Sequence, residues 1–323
     1  MSRVAQAGPG RAADVVVAGN AGVDTNVFLR ATGIDFEVEA NFTENLDCAG
    51  QAGVYAARSY AALGFRTAFI GHVGDDWPGR MVREAFAQDG IDTELLGHDP
   101  AGTARSVNLI YADGRRKNFY DGKGHFDLSV DLAACRALLA PAKLLHVHLA
   151  NWTRTLLPLA RELQVPIACD LQDIVALDDP YRADYLRQAD ILFASAVNHP
   201  DPAPLIRALF AAGPARLVVC GMGAEGCALG TREAGRVHIR RFPALDLPEP
   251  VVDTNGAGDS LAAGFLSSHV LKGLPLEEAI LRGQLAARHA CAQRATSARQ
   301  ITGAQLEALA SRLSPAAPGR RRR

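Results

Sequence analysis

After a short polar lead-in, residues 14–20 (DVVVAGN) form a β-branched apolar run closed by glycine, the pattern of a buried strand. Residues 50–64 (GQAGVYAARSYAALG) then have the alanine-rich composition and terminal glycine of a helix. TAFIGHVG repeats the strand pattern and residues 78–89 the helical one. The alternation continues through KLLHVHLA, TLLPLARELQ, VPIACDL, PYRADYLRQ, DILFASAV, PAPLIRALFAAG and ARLVVCGMG, strand and helix in turn. Strands alternating with helices predict an α/β fold with a mostly parallel sheet covered on both faces.

Two stretches break this rhythm. Residues 35–47 (DFEVEANFTENLD) and 104–122 (ARSVNLIYADGRRKNFYDG) have no helical period. The second alternates around Asp113-Gly114, a turn dipeptide, and predicts a hairpin. Together, residues of about 23–47 and 103–122 predict a small β-sheet outside the main one. Such a sheet serves as a lid over a site or as a plain edge extension, and composition does not separate the two. The domain is expected to run over residues 14–310, between a disordered lead-in at 1–13 and a disordered basic tail at 311–323.

With 323 residues, 48% of them hydrophobic and 21% charged, the chain has the makeup of a soluble globular protein. A formal net charge of −1 gives no basic field to hold nucleic acid or an anionic membrane. The arginines at 320–323 read as a solvated terminus. No apolar run approaches the ~20 residues of a membrane span, and the first residues lack the apolar core of a signal peptide. Six scattered cysteines without a CxxC pair read as buried reduced thiols, as expected for a cytoplasmic protein.

The chemistry concentrates in VVDTNGAGDSLAAGF, residues 251–265. After Asp259 the chain reads as a helix, which places Gly256, Ala257 and Gly258 at its first turn. Backbone N–H groups there have no internal partners and carry partial positive charge, and small residues let an anion approach them. A carboxylate at that point is no phosphate ligand; Asp259 suits a general base that takes a proton from an attacking hydroxyl. A tight connection with Asp259 as a helix-start acid is the plain structural alternative.

DTNGAGD (residues 253–259) resembles the DTxGAGD signature of the ribokinase-like, PfkB-type carbohydrate kinases. GNAGVD (19–24), the run CAGQAGVYAARSYAALGFRTAFIGHVGDDWPG (48–79) and GMGAEG (221–226) resemble further family motifs in the expected order. The resemblance implies a three-layer ribokinase-like fold with a β-lid. It implies transfer of the ATP γ-phosphoryl group to a hydroxyl of a small sugar, or of a nucleoside, with Mg2+. By position it implies Asp259 as base and Gly256, Ala257 and Gly258 as anion hole. Asp24 and Gly50 would hold the substrate, Gly223 and Gly226 would line the nucleotide side, and Gln284 and His289 would lie near adenine. Asp253 and Asn255 match positions that hold a monovalent cation, K+, in some relatives. Relatives also dimerise through the lid.

The chain departs from the family at several points. Ala49 and Val54 stand where a glycine and an asparagine are usual, so the acceptor need not be ribose. Ser195 and Asn198 occupy the N-x-x-E positions associated with metal and phosphates, so the carboxylate is missing. Gly221 replaces a threonine. These losses leave open an active kinase of unusual substrate or a catalytically weak ligand-binding protein. A dinucleotide-binding dehydrogenase would need a GxGxxG turn after the first strand, which GNAGVD is not.

Other candidates are less marked. Asp170, Gln172 and Asp173 end a strand at the crevice where open α/β sheets bind ligands, so Asp170 or Asp173 can touch substrate or cap a turn. Arg105 and Asn108 in the lid can reach substrate or face solvent. Arg115, Arg116 and Lys117 read as a solvated turn rather than a phosphate clamp. His146 and His148 share one strand face; with no acid or cysteine beside them in the chain, they read as ordinary strand-end histidines.

Overall fold

The computed structural model describes residues 12–176, 178–294 and 299–313. Most of the lead-in and of the basic tail lie outside the described residues, although 311–313 close the helix Gly303–Leu313. Among the described residues, nine strands make the main sheet. Val15–Ala18 lies inside it, parallel to Thr67–Val73 on one side and Leu144–His148 on the other. Ile167–Asp173, Ile191–Ser195 and Leu217–Gly221 follow outward, all parallel. Leu96–His98 closes the opposite edge beside Thr67–Val73. Val15–Ala18 and Leu144–His148 are buried at every residue, as strands covered on both faces must be.

Helices cover the sheet on two sides. One core gathers Leu156, Leu157, Tyr185 and Leu205 against it; the other gathers Tyr60, Phe69, Phe86 and Phe265. Local chemistry sets the helix ends. Trp77–Asp89 begins at Asp76, whose carboxylate accepts the Gly79 N–H at 2.9 Å, has Pro78 in its first turn, and ends at Gly90 with φ 67°.

Beyond Leu217–Gly221 the sheet continues as an antiparallel hairpin, Cys227–Glu233 and Arg236–Phe242, which the sequence reading did not include. Its signals were present: Ala234 and Gly235 take positive φ, 47° and 78°, between arms of which the second alternates.

The second sheet has four strands, Thr43–Gly50, Gly22–Leu29, Ala104–Ile110 and Arg116–Asp121 in spatial order. Its outer pairs are antiparallel and its central pair parallel. Register puts Asp24 beside Ser106, Asn26 beside Asn108, and Asn108 beside Asn118. Alternation therefore gathers Asp24, Asn26, Ser106, Asn108, Arg116, Asn118 and Tyr120 on one face and Thr25, Arg105, Lys117 and Phe119 on the other. The first face looks toward the main sheet: Tyr120 Oη accepts from Asn20 Nδ2 at 2.9 Å, and Arg116 reaches Asn255.

The two central lid strands meet tightly at Gly22, where an added Cβ would stand 2.0 Å from the Ala104 carbonyl oxygen. Gly22→Ala is expected to destabilise the fold by about 2–3 kcal/mol, the scale of an overpacked core site. Denaturant midpoints compared with wild type measure it; an unchanged midpoint would show that the strands part freely.

Candidate active site

Helix Ala257–Leu266 starts at Gly256, whose φ of 74° lets the chain turn sharply out of the preceding loop. A Cβ at Gly258 would meet nothing within 4 Å, so the first turn is open on that side. Asp259 lies in this turn with its side chain 14% exposed. Below it are the ends of Leu144–His148 and Ile167–Asp173. His148 Nδ1 lies 3.9 Å from Asp259 Oδ1, and donor atoms of His148, Asp170 and Asp259 lie within 4.8 Å of one another.

Burial pushes the Asp259 carboxyl well above the usual carboxylate range, and the Asp170 and Asp24 charges push it further; Arg116 opposes them. Asp170 is raised as well, by burial, against the 2.8 Å hydrogen bond it accepts from the Gln172 N–H. A base must be ionised to act. The acid limb of kcat/KM is therefore expected above the ordinary carboxylate pKa, with activity falling as pH drops through it. A pH–rate profile checks this; a limb near pH ~4, the value of a free carboxyl, would remove Asp259 from the role.

On the lid side, Asp24 is the centre of a buried network. Its carboxylate accepts from Gln51 Nε2 at 2.7 Å, Tyr55 Oη at 2.6 Å and Asn255 Nδ2 at 3.0 Å. Burial and the Asp24 charge together raise the Tyr55 phenol. Asn118 Nδ2 donates to Asn108 Oδ1 at 2.9 Å, and Asn108 Nδ2 to Asn26 Oδ1 at 3.2 Å. This run of amides offers both donors and acceptors, as polyhydroxyl ligands require. Gly50 has to be glycine, since a Cβ there would stand 2.6 Å from Asp24 Cγ. Arg116 closes the ring from the far side, donating from Nη1 to Asn255 Oδ1 at 2.7 Å.

The structure thus brings Asp24, Gly50, Asn108, Asp170, Asn255, Asp259 and the Gly256, Ala257 and Gly258 turn to one cleft. Other sequence candidates go elsewhere. Arg105 faces away from it, donating to Thr25 Oγ1 at 3.0 Å, 3.7 Å from Asp47 and 5.1 Å from the Trp77 ring. Gln284 spends its amide on the Phe242 and Pro243 carbonyls at 3.1 and 2.9 Å, tying the edge hairpin to helix Leu276–Cys291. His289 stands 3.1 Å from the Arg299 carbonyl. Gly223 and Gly226 form the turn after Leu217–Gly221, with φ of 58° and 96°. Ser195 Oγ accepts from the Val197 N–H at 3.3 Å, and Asn198 Nδ2 donates to the Ile174 carbonyl at 3.4 Å.

Asp253 and Asn255 lie in the loop before the helix, both buried. The Asp253 carboxylate accepts the Asn255 N–H at 2.9 Å, whereas the Asn255 amide oxygen faces a guanidinium. Arg115 pairs with Asp113 at the turn as a solvated residue, whereas Arg116, though exposed too, begins a strand and reaches inward to Asn255. Gln51, Tyr55 and Asn26 were also missed. Gln51 directly follows the signature glycine, which was the available signal.

A parallel sheet with a β-lid closing toward a glycine-started helix is the architecture of the ribokinase-like phosphotransferases. The chain belongs to the pfkB family of carbohydrate kinases, whose description matches residues 49–302. It is 34% identical over 294 residues to acarbose 7(IV)-phosphotransferase of Actinoplanes sp., covering 91% of this chain and 97% of that one. It is 28% identical to the fructokinase of Klebsiella pneumoniae, covering 79% and 87%. Among solved structures it matches a microbiome-derived acarbose kinase with a TM-score of 0.83 and 30% identity, covering 93% of this chain and all (100%) of that one. Ribokinase of Arabidopsis thaliana, solved with ribose and ATP, matches in fold with a TM-score of 0.77 at 19% identity, covering 93% and 99%. The protein is therefore a carbohydrate kinase, and none of its described helices is long and apolar enough to cross a membrane.

Proposed function

We propose that the protein transfers the γ-phosphoryl group of ATP to a hydroxyl of an acarbose-like pseudo-oligosaccharide, with Asp259 as general base. The observation that carries the reaction is the position of Asp259: first turn of a glycine-started helix, beside a hydroxyl-reading lid network, in a turn where the Ala257 N–H donates to the Thr254 carbonyl at 3.3 Å. The similarity to acarbose 7(IV)-phosphotransferase over nearly its whole length supports the acceptor class. Replacement of the usual asparagine by Val54, buried in this fold, fits an acceptor other than ribose.

In this reading the acceptor lies under the lid and exchanges its hydroxyls for the amide contacts among Asp24, Asn26, Asn108 and Asn118. Asp259 takes the hydroxyl proton as the oxygen attacks. The N–H groups around Gly256, Ala257 and Gly258 receive the charge of the transferring group, that of Ala257 by exchanging its Thr254 carbonyl partner, and Arg116 adds a cation from the lid. The turn at Gly223 and Gly226 lines the nucleotide side. Lid closure excludes water, the competing acceptor.

Mg2+ neutralises phosphate charge when bound. The buried carboxylate of Asp170 at one strand end, with Ser195 and Asn198 near the next strand end, fits an ion held mainly by phosphates and water. Asp170 and Asn198 are the residues that would face it. With no carboxylate at Asn198, weak turnover on a competent binding site is the second reading, and adenosine-like nucleosides are the alternative acceptors. The K+ dependence of some relatives gains no support from Asn255. Cytoplasmic placement and a homodimer through the outer lid face, where Phe119 is 55% exposed, belong to the same proposal. Sedimentation tests the dimer, and Phe119→Asp is expected to yield monomer; a monomeric wild type would remove it.

Release of ADP from MgATP with acarbose, maltotriose, fructose, ribose and adenosine tests the function. Turnover with acarbose at the highest kcat/KM is expected. Preference for a simple hexose or a nucleoside would overturn the acceptor class, and ligand-induced stabilisation without ADP would favour the binding protein.

A further inference from the structure

His148 is used by nothing in this mechanism. Its side chain is 1% exposed, and neither ring nitrogen has a hydrogen-bond partner. A buried polar group left unsatisfied costs about 1–3 kcal/mol and calls for an explanation. The ring lies 4.5 Å from that of His146, whose Nδ1 is 3.1 Å from Tyr60 Oη, so the neighbour has one ring nitrogen partnered and His148 has neither. Parallel pairing sets His148 directly beside Asp170, and helix Ala257–Leu266 lays Asp259 over both. Three separate elements thus converge a nitrogen and two carboxylates.

We propose that His148, Asp170 and Asp259 form a binding site for a transition-metal dication of the zinc class, and that its occupation silences the kinase. One imidazole and two carboxylates, with water at a fourth position, suit zinc coordination. The imidazole argues against magnesium, which takes oxygen ligands in an octahedral shell. Around a zinc ion the donors stand about 3.4 Å apart, given bonds of about 2.1 Å. The present spread of up to 4.8 Å must close by rotation of Asp259, the most exposed of the three. Burial keeps the imidazole neutral, with its pKa pushed down to about 3, and the neutral ring is the form that ligates. The metal would hold the Asp259 carboxylate that the reaction needs as a base, so binding and catalysis exclude one another.

Only the silencing depends on the kinase reading; metal binding does not. The full chain, stripped with EDTA and free of nucleotide, would be titrated with Zn2+ by calorimetry and with Co2+ by its visible d–d absorption. One equivalent is expected to bind, and His148→Gln and Asp259→Asn are each expected to weaken it by about 100-fold or more. Thermal melts show that the variants fold; Asp259→Asn, at the more open position, serves if His148→Gln does not. In turnover assays, Zn2+ is expected to inhibit wild type reversibly to EDTA and to inhibit His148→Gln far less. Absence of binding, or stoichiometric binding undiminished in both variants, overturns the site. Binding at the three residues without inhibition of a working kinase overturns the silencing. Binding that depends on these residues in a protein with no acceptor at all leaves the metal site standing and removes the kinase reading instead.

Discussion

Asp259→Asn is expected to lower kcat/KM by about 10²- to 10⁴-fold, the contribution of a positioned general base. Asparagine keeps the size and the helix-start position and removes only the ability to accept the proton. KM for the acceptor should change far less than kcat, because the lid network does not depend on Asp259. The same substitution should raise Tm at neutral pH. Folding holds the Asp259 proton more tightly than the unfolded chain does, because burial, Asp170 and Asp24 disfavour its charge. That stability is fully present below the unfolded carboxyl pKa and is lost as pH rises through the folded one. Above the unfolded carboxyl pKa that lost stability is a burden that asparagine removes. Loss of activity together with gained stability is the signature of a residue kept for chemistry. Retention of more than a tenth of wild-type kcat/KM would assign proton removal to another group.

Arg116→Gln should lower kcat by about 10²- to 10³-fold, comparable to removing one donor from a preorganised anion site. Arg116 also lowers the Asp259 pKa, so its removal should move the acid limb of the pH profile to higher pH. Lysine should restore the pH profile better than it restores kcat, since it keeps the charge and loses the planar fork. A merely structural arginine would weaken acceptor binding and leave the acid limb where it was. Separate kcat and KM values across a pH series, for both variants, decide between the two roles.

The turn and the helix start were legible because they are local: DTNGAGD sets Gly256 at the cap and Asp259 in the first turn within seven consecutive residues. The alternation of apolar runs likewise gave the parallel sheet, and the two aperiodic stretches fell where the second sheet forms. What escaped depended on register. Arg116 looked like part of a turn, yet it is the first residue of a strand paired with Ile110, and only the pleat aims it inward. His148 had no acid near it in the chain, but strand pairing supplies Asp170 and a helix supplies Asp259. Arg105 failed for the converse reason: one step along the strand from Ser106, it faces the other side. Gln284 sits on a helix whose rotation about its axis was unknown from sequence, and the rotation gives its amide to the edge hairpin.

The parallel pairing at the centre of the small sheet has a consequence for how the molecule is assembled. Asn26 and Asn108 meet across 82 positions of chain, so that ladder is a non-local pairing that costs loop-closure entropy. The main-sheet pairing of Val15–Ala18 with Leu144–His148 is longer in range still, so neither ladder is a local one. The cleft's roof, whose outer strand Arg116–Asp121 is exposed at every residue, is the unit expected to detach at lowest free energy, leaving the rest folded. An acceptor bound beneath it would slow amide exchange there first, and the timing of product escape would follow the same partial unfolding.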